Sequence, residues 1–184
     1  MLKPDIQLNV LRISFLCLAL SVAGCVGPPE GTAPIEGFEL DRYLGKWYEI
    51  ARLDHRFERG MTNVSATYTN REEAGIAVVN RGLVQKTGEW KSVEGKALFV
   101  EDPRKGSLKV SFFGPFYGGY HVLALDKESY QYAMVCGPNR SYLWILSREK
   151  TLPDPILNRL TEKARELGFA VDELIYVVHD RMDG

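Results

Sequence analysis

The sequence lacks the charge and the motifs of several large functional classes. Its 23 Lys and Arg residues nearly balance its 24 Asp and Glu residues, so the formal net charge is only −1. With the two signs interspersed and no basic stripe, nucleic-acid binding has no electrostatic support. The chain also has no Gly-x-Ser-x-Gly elbow, phosphate-binding loop or His-Glu-x-x-His motif. We therefore expect a protein that is not an enzyme and needs no cofactor.

Potential metal ligands are scarce as well. The chain has three histidines, His55, His121 and His179, and they lie far apart in the sequence. Metal sites usually draw on closely spaced His, Cys or carboxylate side chains. No metal site is therefore expected.

The N-terminal apolar run is too short to cross a membrane as a helix. It covers ten residues, 13–22, whereas a spanning helix needs about 20. Lys3 and Arg12 precede it, and a basic start before a short apolar core is typical of a signal peptide. A short buried helix fits poorly with the polar and proline-rich flanks. We predict that residues 1–24 are a signal peptide outside the folded domain.

The apolar run leads into small residues before a cysteine, Val22-Ala23-Gly24-Cys25. This stretch resembles a bacterial lipobox, which implies that Cys25 is acylated and becomes the new N-terminus after cleavage. Several acyl chains on one residue would satisfy the rule that stable anchoring takes more than one chain. Val26 stands next, and by resemblance to sorted bacterial lipoproteins the lack of an aspartate there implies the outer membrane.

Residues 26–34 are rich in proline and glycine, a composition typical of an extended linker. We predict a lipidated N-terminus and flexible tether over residues 25–36, then one folded domain over residues 37–184 with an adequate core. Since Cys17 leaves with the signal peptide and Cys25 carries lipid, Cys136 has no disulfide partner. We expect it to be a small buried side chain, because no sequence neighbour identifies a base that would activate it.

Short β-strands separated by turn signals dominate the domain. Runs of β-branched and aromatic residues alternate with clusters of Gly, Pro, Asn and Asp. They predict eight strands, over residues 45–53, 64–69, 76–83, 92–101, 107–113, 120–125, 130–136 and 142–148. Eight strands with hairpin-length connections favour a closed up-and-down antiparallel β-barrel, which leaves no edge exposed. A sandwich of two sheets is the alternative.

The hydrophobic period then changes from that of a strand to that of a helix. Asp154 can cap a helix, Pro155 suits its first turn, and Gly168 suits its end. Between them, apolar residues recur at helical spacing on one stripe: Ile156, Leu160, Ala164 and Leu167. We therefore predict a C-terminal α-helix packed outside the barrel, followed by a short ninth strand over residues 174–179.

This order of elements, together with the motifs, resembles the lipocalin family. Gly45-Lys46-Trp47 resembles the family's first block, Gly-x-Trp, and Arg148 matches the arginine of its third block. The second block, Thr-Asp-Tyr, is degenerate, because only Tyr130 remains of it. Residues 112–120 and 136–148 closely resemble the bacterial outer-membrane lipocalins. The resemblance covers residues 38–180 and the lipobox, and it implies a membrane-anchored protein that binds a lipophilic ligand and pairs into homodimers.

Gly45, Trp47 and Arg148 are predicted to close one end of the barrel. Gly45 lets the backbone bend, and a flat guanidinium stacks well on an aromatic ring. Residues 144, 146 and 148 fall on one face of their strand, so the face that lines the barrel reaches its base at Arg148. These three residues are interpreted as structural, not catalytic.

The space above this floor is the predicted binding site. An eight-stranded barrel holds one small ligand, and its inward side chains should be mostly apolar. Strand parity points these side chains inward, although each could instead simply fill the core: Ala66, Tyr68, Val110, Phe112, Tyr120, Val122, Tyr142 and Trp144. Ala124 is a further candidate. Strand 130–136 stays ambiguous, because either its even or its odd residues could face in, and the bulkier even set could lie under the helix.

Two stretches are candidates for the open end of the barrel. His55, Arg56 and Arg59 could meet an anionic headgroup through charge-assisted hydrogen bonds, or could form an ordinary solvated loop. The turn at residues 113–117 is unusually aromatic, and it could contact a partner or membrane or simply cover the rim.

The resemblance implies a fatty acid or a lysophospholipid as ligand, stored or transported during envelope maintenance or stress. Two alternatives stay open. One is a lipocalin-fold enzyme that acts on a bound lipophile through Cys136 or a tyrosine. The other is a scaffold whose interior is filled with side chains.

Overall fold

The computed structural model describes residues 26–71 and 75–181. The predictions for the signal peptide and for acylation of Cys25 lie outside these residues. Among the described residues, no helix has the length and apolarity needed to cross a membrane.

Eight strands form the body of the protein. A short helix α1 (Leu40–Tyr43) precedes them, and helix α2 (Asp154–Glu166), a 3-10 turn (Val171–Glu173) and strand β9 (Ile175–Tyr176) follow. The eight strands are β1 (Gly45–Arg52), β2 (Met61–Arg71), β3 (Gly75–Val84), β4 (Glu89–Phe99), β5 (Ser107–Ser111), β6 (Gly118–Leu125), β7 (Tyr132–Cys136) and β8 (Leu143–Ser147).

The strands close into a barrel. Each strand from β1 to β8 pairs antiparallel with the next, and β1 also pairs with β8. The predicted up-and-down barrel is therefore confirmed, and the sandwich is excluded. We call the end at which β1 begins the closed end. The opposite end, or mouth, is formed by the loops at residues 53–60, 85–88, 112–117 and 137–142.

Three register shifts interrupt the alternation of inward and outward residues, and one of them lies in β2 between Thr62 and Ser65. In β1 the register with β8 shifts between Glu49 and Ala51, so Ile50 and Ala51 both join the packing outside the barrel. In β6 the register with β7 shifts between Val122 and Ala124. A bulge adds one residue to a strand and reverses parity beyond it. For this reason Ala124 packs outside the barrel, and its predicted inward orientation is wrong.

Two apolar clusters build the core, one inside the barrel and one between the wall and α2. Leu160 and Ala164 of α2 are buried in the outer cluster, which confirms the outside packing of the helix. Strand β7 divides between the clusters: Ala133 and Val135 lie in the inner one, whereas its bulkier residues lie under α2. This resolves the ambiguity left by the sequence.

The predicted tether is docked on the barrel wall where the structure describes it. The Ile35 amide donates to the Val122 carbonyl of β6 at 2.8 Å, and the Ile35 carbonyl accepts from the Gly106 amide at 2.9 Å. Near the mouth, Arg140 Nη2 donates to the Glu30 carbonyl at 2.6 Å. Residues 30–35 are thus held on the barrel through hydrogen bonds to their own backbone atoms. Amino-acid composition alone does not predict this docking.

Trp47 and Arg148 meet at the closed end. The guanidinium carbon lies 3.8 Å from the centroid of the Trp47 ring, and Trp47 is fully buried. Arg148 also donates to three backbone carbonyls, those of Lys46 at 2.8 Å, Arg42 at 2.8 Å and Tyr130 at 3.2 Å. One side chain therefore joins β8 to β1, to α1 and to the turn between β6 and β7.

Gly45 has the backbone conformation that this junction requires. Its φ is +94°, in the left-handed region that favours glycine. A Cβ at this position would lie 3.3 Å from Arg148 Nη1. A side chain here would therefore strain the backbone and crowd the guanidinium.

We predict that Arg148→Lys lowers the free energy of unfolding by about 1–3 kcal/mol, because a lysine ammonium cannot stack on Trp47 and reach three carbonyls together. Urea denaturation measures the change. Arg104→Lys is the matched control, since Arg104 is exposed and pairs with Asp102, and its effect should stay within about 0.5 kcal/mol. Equal effects of the two substitutions would contradict the closing role of Arg148.

Candidate functional site

The predicted binding residues line the barrel interior. Tyr68 and Val122 are buried in the inner cluster, and five further residues are partly buried against it: Ala66, Val110, Phe112, Tyr120 and Trp144. Tyr142 lies higher, in the mouth loop before β8, where its ring stacks on Trp144 with centroids 6.1 Å apart.

Three tyrosine hydroxyl groups meet in the interior near the floor. Tyr43 Oη lies 2.6 Å from Tyr120 Oη, and Tyr68 donates to Tyr120 Oη at 2.9 Å. Burial raises the pKa of all three phenols, so they remain neutral and satisfy one another. Tyr43 also packs on Trp47, with centroids 4.7 Å apart. Tyr43 was not predicted, because it comes from α1, whose four residues carry no helical period.

A buried charged cluster lies at the mouth side of the interior, and sequence reasoning missed it. The bulge in β1 turns both Glu49 and Arg52 inward, and Arg52 Nη1 donates to Glu49 Oε1 at 2.7 Å. Arg52 Nη2 donates to the Glu58 carbonyl at 2.9 Å and to the Met61 carbonyl at 3.2 Å. Arg52 is only 1% exposed. It therefore fixes the loop at residues 53–60 against the barrel.

Side chains of this loop complete the cluster. Glu58 Oε2 accepts a hydrogen bond from Trp144 Nε1 at 3.2 Å and lies 3.0 Å from His55 Nε2. The His55 ring contacts the Trp144 ring edge-on, with centroids 5.1 Å apart. His55 and Glu58 are therefore turned inward and form a polar wall above the apolar interior.

The cluster holds two carboxyl groups and one guanidinium. Burial, and then the charge of Glu58, raise the pKa of Glu49. Burial alone would raise the pKa of Glu58 too, but its contacts with His55, Glu49 and Trp144 outweigh burial and lower it. The raised pKa of Glu49 favours its neutral form, and the lowered pKa of Glu58 favours its carboxylate form.

The residues predicted to meet a headgroup divide into different roles. His55 is 5% exposed and belongs to the buried cluster. Arg59 Nη2 pairs with Asp54 Oδ2 at 2.7 Å on the surface. Arg56 is exposed and lies over the ring of Phe57, at 4.9 Å. The structure therefore does not bring these three side chains together as one anion site.

The described part of the chain gives little support for metal binding or for a reactive thiol. No group of three or more His, Cys, Asp or Glu side chains there could hold a metal ion. Cys136 is fully buried beneath α2, and burial raises the pKa of its thiol to about 12. A thiol with such a pKa is not a nucleophile at neutral pH.

The sequence of this chain is similar to those of known proteins. The family described as "Lipocalin-like domain" matches residues 38–179. The outer membrane lipoprotein Blc of Vibrio cholerae is 54% identical over 168 residues, which cover 91% of this chain and 98% of the relative. The outer membrane lipoprotein Blc of Escherichia coli K12 is 50% identical over 161 residues, which cover 86% of this chain and 90% of the relative.

A solved structure agrees in fold. Insecticyanin from the tobacco hornworm Manduca sexta superposes with a TM-score of 0.68 at 22% identity, over 85% of this chain and 88% of that one.

The raised pKa of Glu49 predicts a distinctive pH dependence. A glutamate whose pKa is raised on folding stabilises the protein fully below its ordinary value of 4.5, and this contribution is lost as the pH rises through the raised pKa. Glu49→Gln has no proton to lose. We predict that its free energy of unfolding, relative to wild type, rises by about 1 kcal/mol or more between pH 5 and pH 8.

Urea denaturation at the two pH values measures this difference. Glu162→Gln is the control, because Glu162 is exposed on α2 beside Arg165, and its difference from wild type should not change with pH. A Glu49→Gln difference that is constant or falls with pH would contradict the assignment of the proton.

Proposed function

Because this chain belongs to the lipocalin family, we propose that its barrel binds the acyl chain of a fatty acid or a lysophospholipid. Lipocalins bind lipophilic ligands, and this chain is a lipocalin of the outer membrane lipoprotein type. The proposal concerns the particular ligand, its site and its purpose, which is lipid storage or transport in envelope maintenance or stress.

The apolar interior between a sealed floor and a charged mouth supports the proposal most directly. Trp47 and Arg148 seal the closed end, and the proposed contact residues Ala66, Val110 and Trp144 pack against the inner apolar cluster above them. Each methylene group that leaves water for such a space contributes about 0.8 kcal/mol. An eight-stranded barrel has room for one small ligand, which favours a single-chain lipid over a two-chain one.

The headgroup of such a lipid would lie at the mouth. The cluster of Glu49, Arg52, His55 and Glu58 supplies charged and hydrogen-bonding groups at that height, whereas the floor is built of aromatic rings. An acyl chain bound with its end toward Trp47 would therefore lie among apolar side chains, and its headgroup would lie among the polar groups of the mouth. The proposed contacts for the chain are Ala66, Tyr68, Val110, Phe112, Tyr120, Val122, Tyr142 and Trp144.

Anchoring completes the proposal. Cleavage of residues 1–24 would leave Cys25 as an acylated N-terminus that attaches the barrel to the outer membrane, and two such proteins would pair into a homodimer. The enzymatic alternative is not favoured, because the burial of Cys136 beneath α2 leaves that thiol away from the interior.

Filling the interior tests the site against the filled-scaffold alternative. We predict that Ala66→Phe lowers the affinity for lysophospholipid at least tenfold, because the new ring occupies the space of the acyl chain. Thr69→Phe is the matched control, since Thr69 is exposed on the same strand. Native mass spectrometry of protein purified from its own envelope would report the bound lipid in each variant.

The two accounts differ in their outcomes. With an open interior, Ala66→Phe loses lipid and changes stability little. A wild type without lipid, together with a destabilisation of about 1–3 kcal/mol in Ala66→Phe from overpacking, would contradict the carrier and favour the scaffold.

A further inference from the structure

We propose that the hydroxyl groups of Tyr43, Tyr68 and Tyr120 select an acyl chain that carries an oxygen atom, as a hydroxyl or keto group, in the half far from its headgroup. The inference rests on the proposed function and deepens it. The acyl chain enters the barrel, and the three tyrosines add a preference for an oxygenated chain over a plain one. A count of hydrogen-bond donors and acceptors near the floor carries the proposal.

Three separate elements bring the hydroxyl groups to one point. Tyr43 comes from α1, Tyr68 from β2 and Tyr120 from β6. The Tyr68 ring lies 5.5 Å from the Tyr43 ring and 6.0 Å from the Tyr120 ring, measured between centroids. Phe38 and Trp47 hold the Tyr43 ring from two further directions, at 5.0 and 4.7 Å. Packing therefore fixes where the hydroxyl groups meet.

The cluster has one more proton than it has hydrogen bonds. Each phenol carries one proton that it can donate. Tyr68 donates to Tyr120, and the bond between Tyr43 and Tyr120 uses the proton of one of these two. Each hydroxyl group thus has a partner within the cluster, but two bonds use only two of the three protons. The third proton, on Tyr43 or on Tyr120, has no acceptor among the residues that the structure describes.

Ionisation does not remove this surplus proton. Burial is the main cause that raises the pKa of all three phenols above the ordinary value of 10.0. All three therefore keep their protons at neutral pH. A buried donor without an acceptor costs free energy, and such groups are rare in folded proteins. A ligand that brings an acceptor to this point is consequently favoured.

A hydroxyl group on the ligand suits the cluster better than other oxygen groups. Its oxygen accepts the surplus proton, and its own proton has an acceptor in Tyr68 Oη, which acts only as a donor within the cluster. A keto oxygen supplies the acceptor alone. An ionised carboxylate would lose its hydration at much greater cost, so the headgroup of a fatty acid stays at the mouth.

The position of the oxygen along the chain decides whether it meets the cluster. Tyr120 is partly buried, whereas Tyr43 and Tyr68 are only 2% and 6% exposed. Tyr120 packs against the same inner cluster as Val110 and Trp144, so it is the member of the triad that a bound chain reaches first. The inner cluster consists of apolar and aromatic side chains. An oxygen that lies among the apolar ones is left unpaired and weakens binding.

Binding of matched fatty acids tests the preference. The protein, stripped of lipid, would be titrated in a calorimeter with palmitic acid and with palmitic acids hydroxylated at carbon 2, 12, 14 or 16. The test variant combines Tyr43→Phe, Tyr68→Phe and Tyr120→Phe, which keeps the rings and removes the whole network. Replacing every member of a buried network by apolar groups of the same shape is nearly neutral for stability, whereas a single substitution would leave other protons unpaired.

Tyr132→Phe is the matched control. The Tyr132 hydroxyl lies outside the barrel, where it accepts a hydrogen bond from Arg159 Nη2 at 2.7 Å. Its removal should leave the affinity for every ligand unchanged. Palmitic acid itself should bind wild type, the control and the triple variant with affinities within about threefold of one another, because a plain chain makes no hydrogen bond to the cluster.

We expect wild type to bind at least one of the acids hydroxylated at carbon 12, 14 or 16 at least as tightly as palmitic acid. The triple variant should bind that same acid about tenfold or more weakly than palmitic acid, because the hydroxyl group is then buried without a partner. Hydroxylation at carbon 2, near the headgroup, should change the affinity of wild type and of the triple variant by the same factor.

Two results would overturn the proposal. One is a wild type that binds all three of these acids more weakly than palmitic acid, a result that stands even if the triple variant fails to fold. The other is an effect of hydroxylation that differs by less than about tenfold between wild type and the triple variant. That result would mean that a water molecule, and not the ligand, accepts the surplus proton.

The titrations also separate this proposal from the proposed function. Wild type that binds palmitic acid but shows no preference for a far hydroxyl group would refute the selectivity alone and leave lipid binding in the barrel standing. Failure to bind any of these acids would refute the selectivity, and failure to bind lysophospholipid as well would refute the proposed function.

Discussion

The stack of Arg148 on Trp47 is the interaction on which the rest of the structure depends. A barrel that encloses an interior must be closed at one end, and these two side chains close it. The guanidinium also bonds backbone carbonyls of α1, β1 and the turn between β6 and β7. Parts of the chain that lie up to 106 residues apart are thereby held at one point.

The bulge in β1 is the second constraint, and it gives the interior its polarity. It turns Glu49 and Arg52 to the same side, where a regular strand would separate them. Buried charges are costly unless they are paired, and here Arg52 is shared between a carboxyl group and two loop carbonyls. The mouth loop is consequently fixed, and the barrel acquires an apolar lower part and a charged upper part.

The sequence predicts those features that arise from local pattern. Period-two alternation and turn residues predict the eight strands, and the motif residues 45, 47 and 148 predict the pair at the floor. Other features depend on contacts that leave no periodic signal. The bulges reverse parity at Ala124 and turn Arg52 inward, α1 is a single turn, and the segment around Ile35 docks through backbone hydrogen bonds that any residue could make. The inward orientation of His55 and Glu58 likewise could not be predicted from the sequence, because it depends on the bulge in β1.

The three tryptophans offer a direct test of the central claim that an acyl chain enters the barrel with its end toward the floor. Trp47 lies at the floor, Trp144 lies higher on the inner wall, and Trp90 lies on β4 with the Arg81 guanidinium over its ring. A lysophospholipid with a nitroxide near the end of its chain would be added while the indole N–H signals are recorded by NMR. The account predicts strong broadening of the Trp47 signal, weaker broadening of Trp144 and an unaffected Trp90. Broadening of Trp90 with an unaffected Trp47 would contradict it.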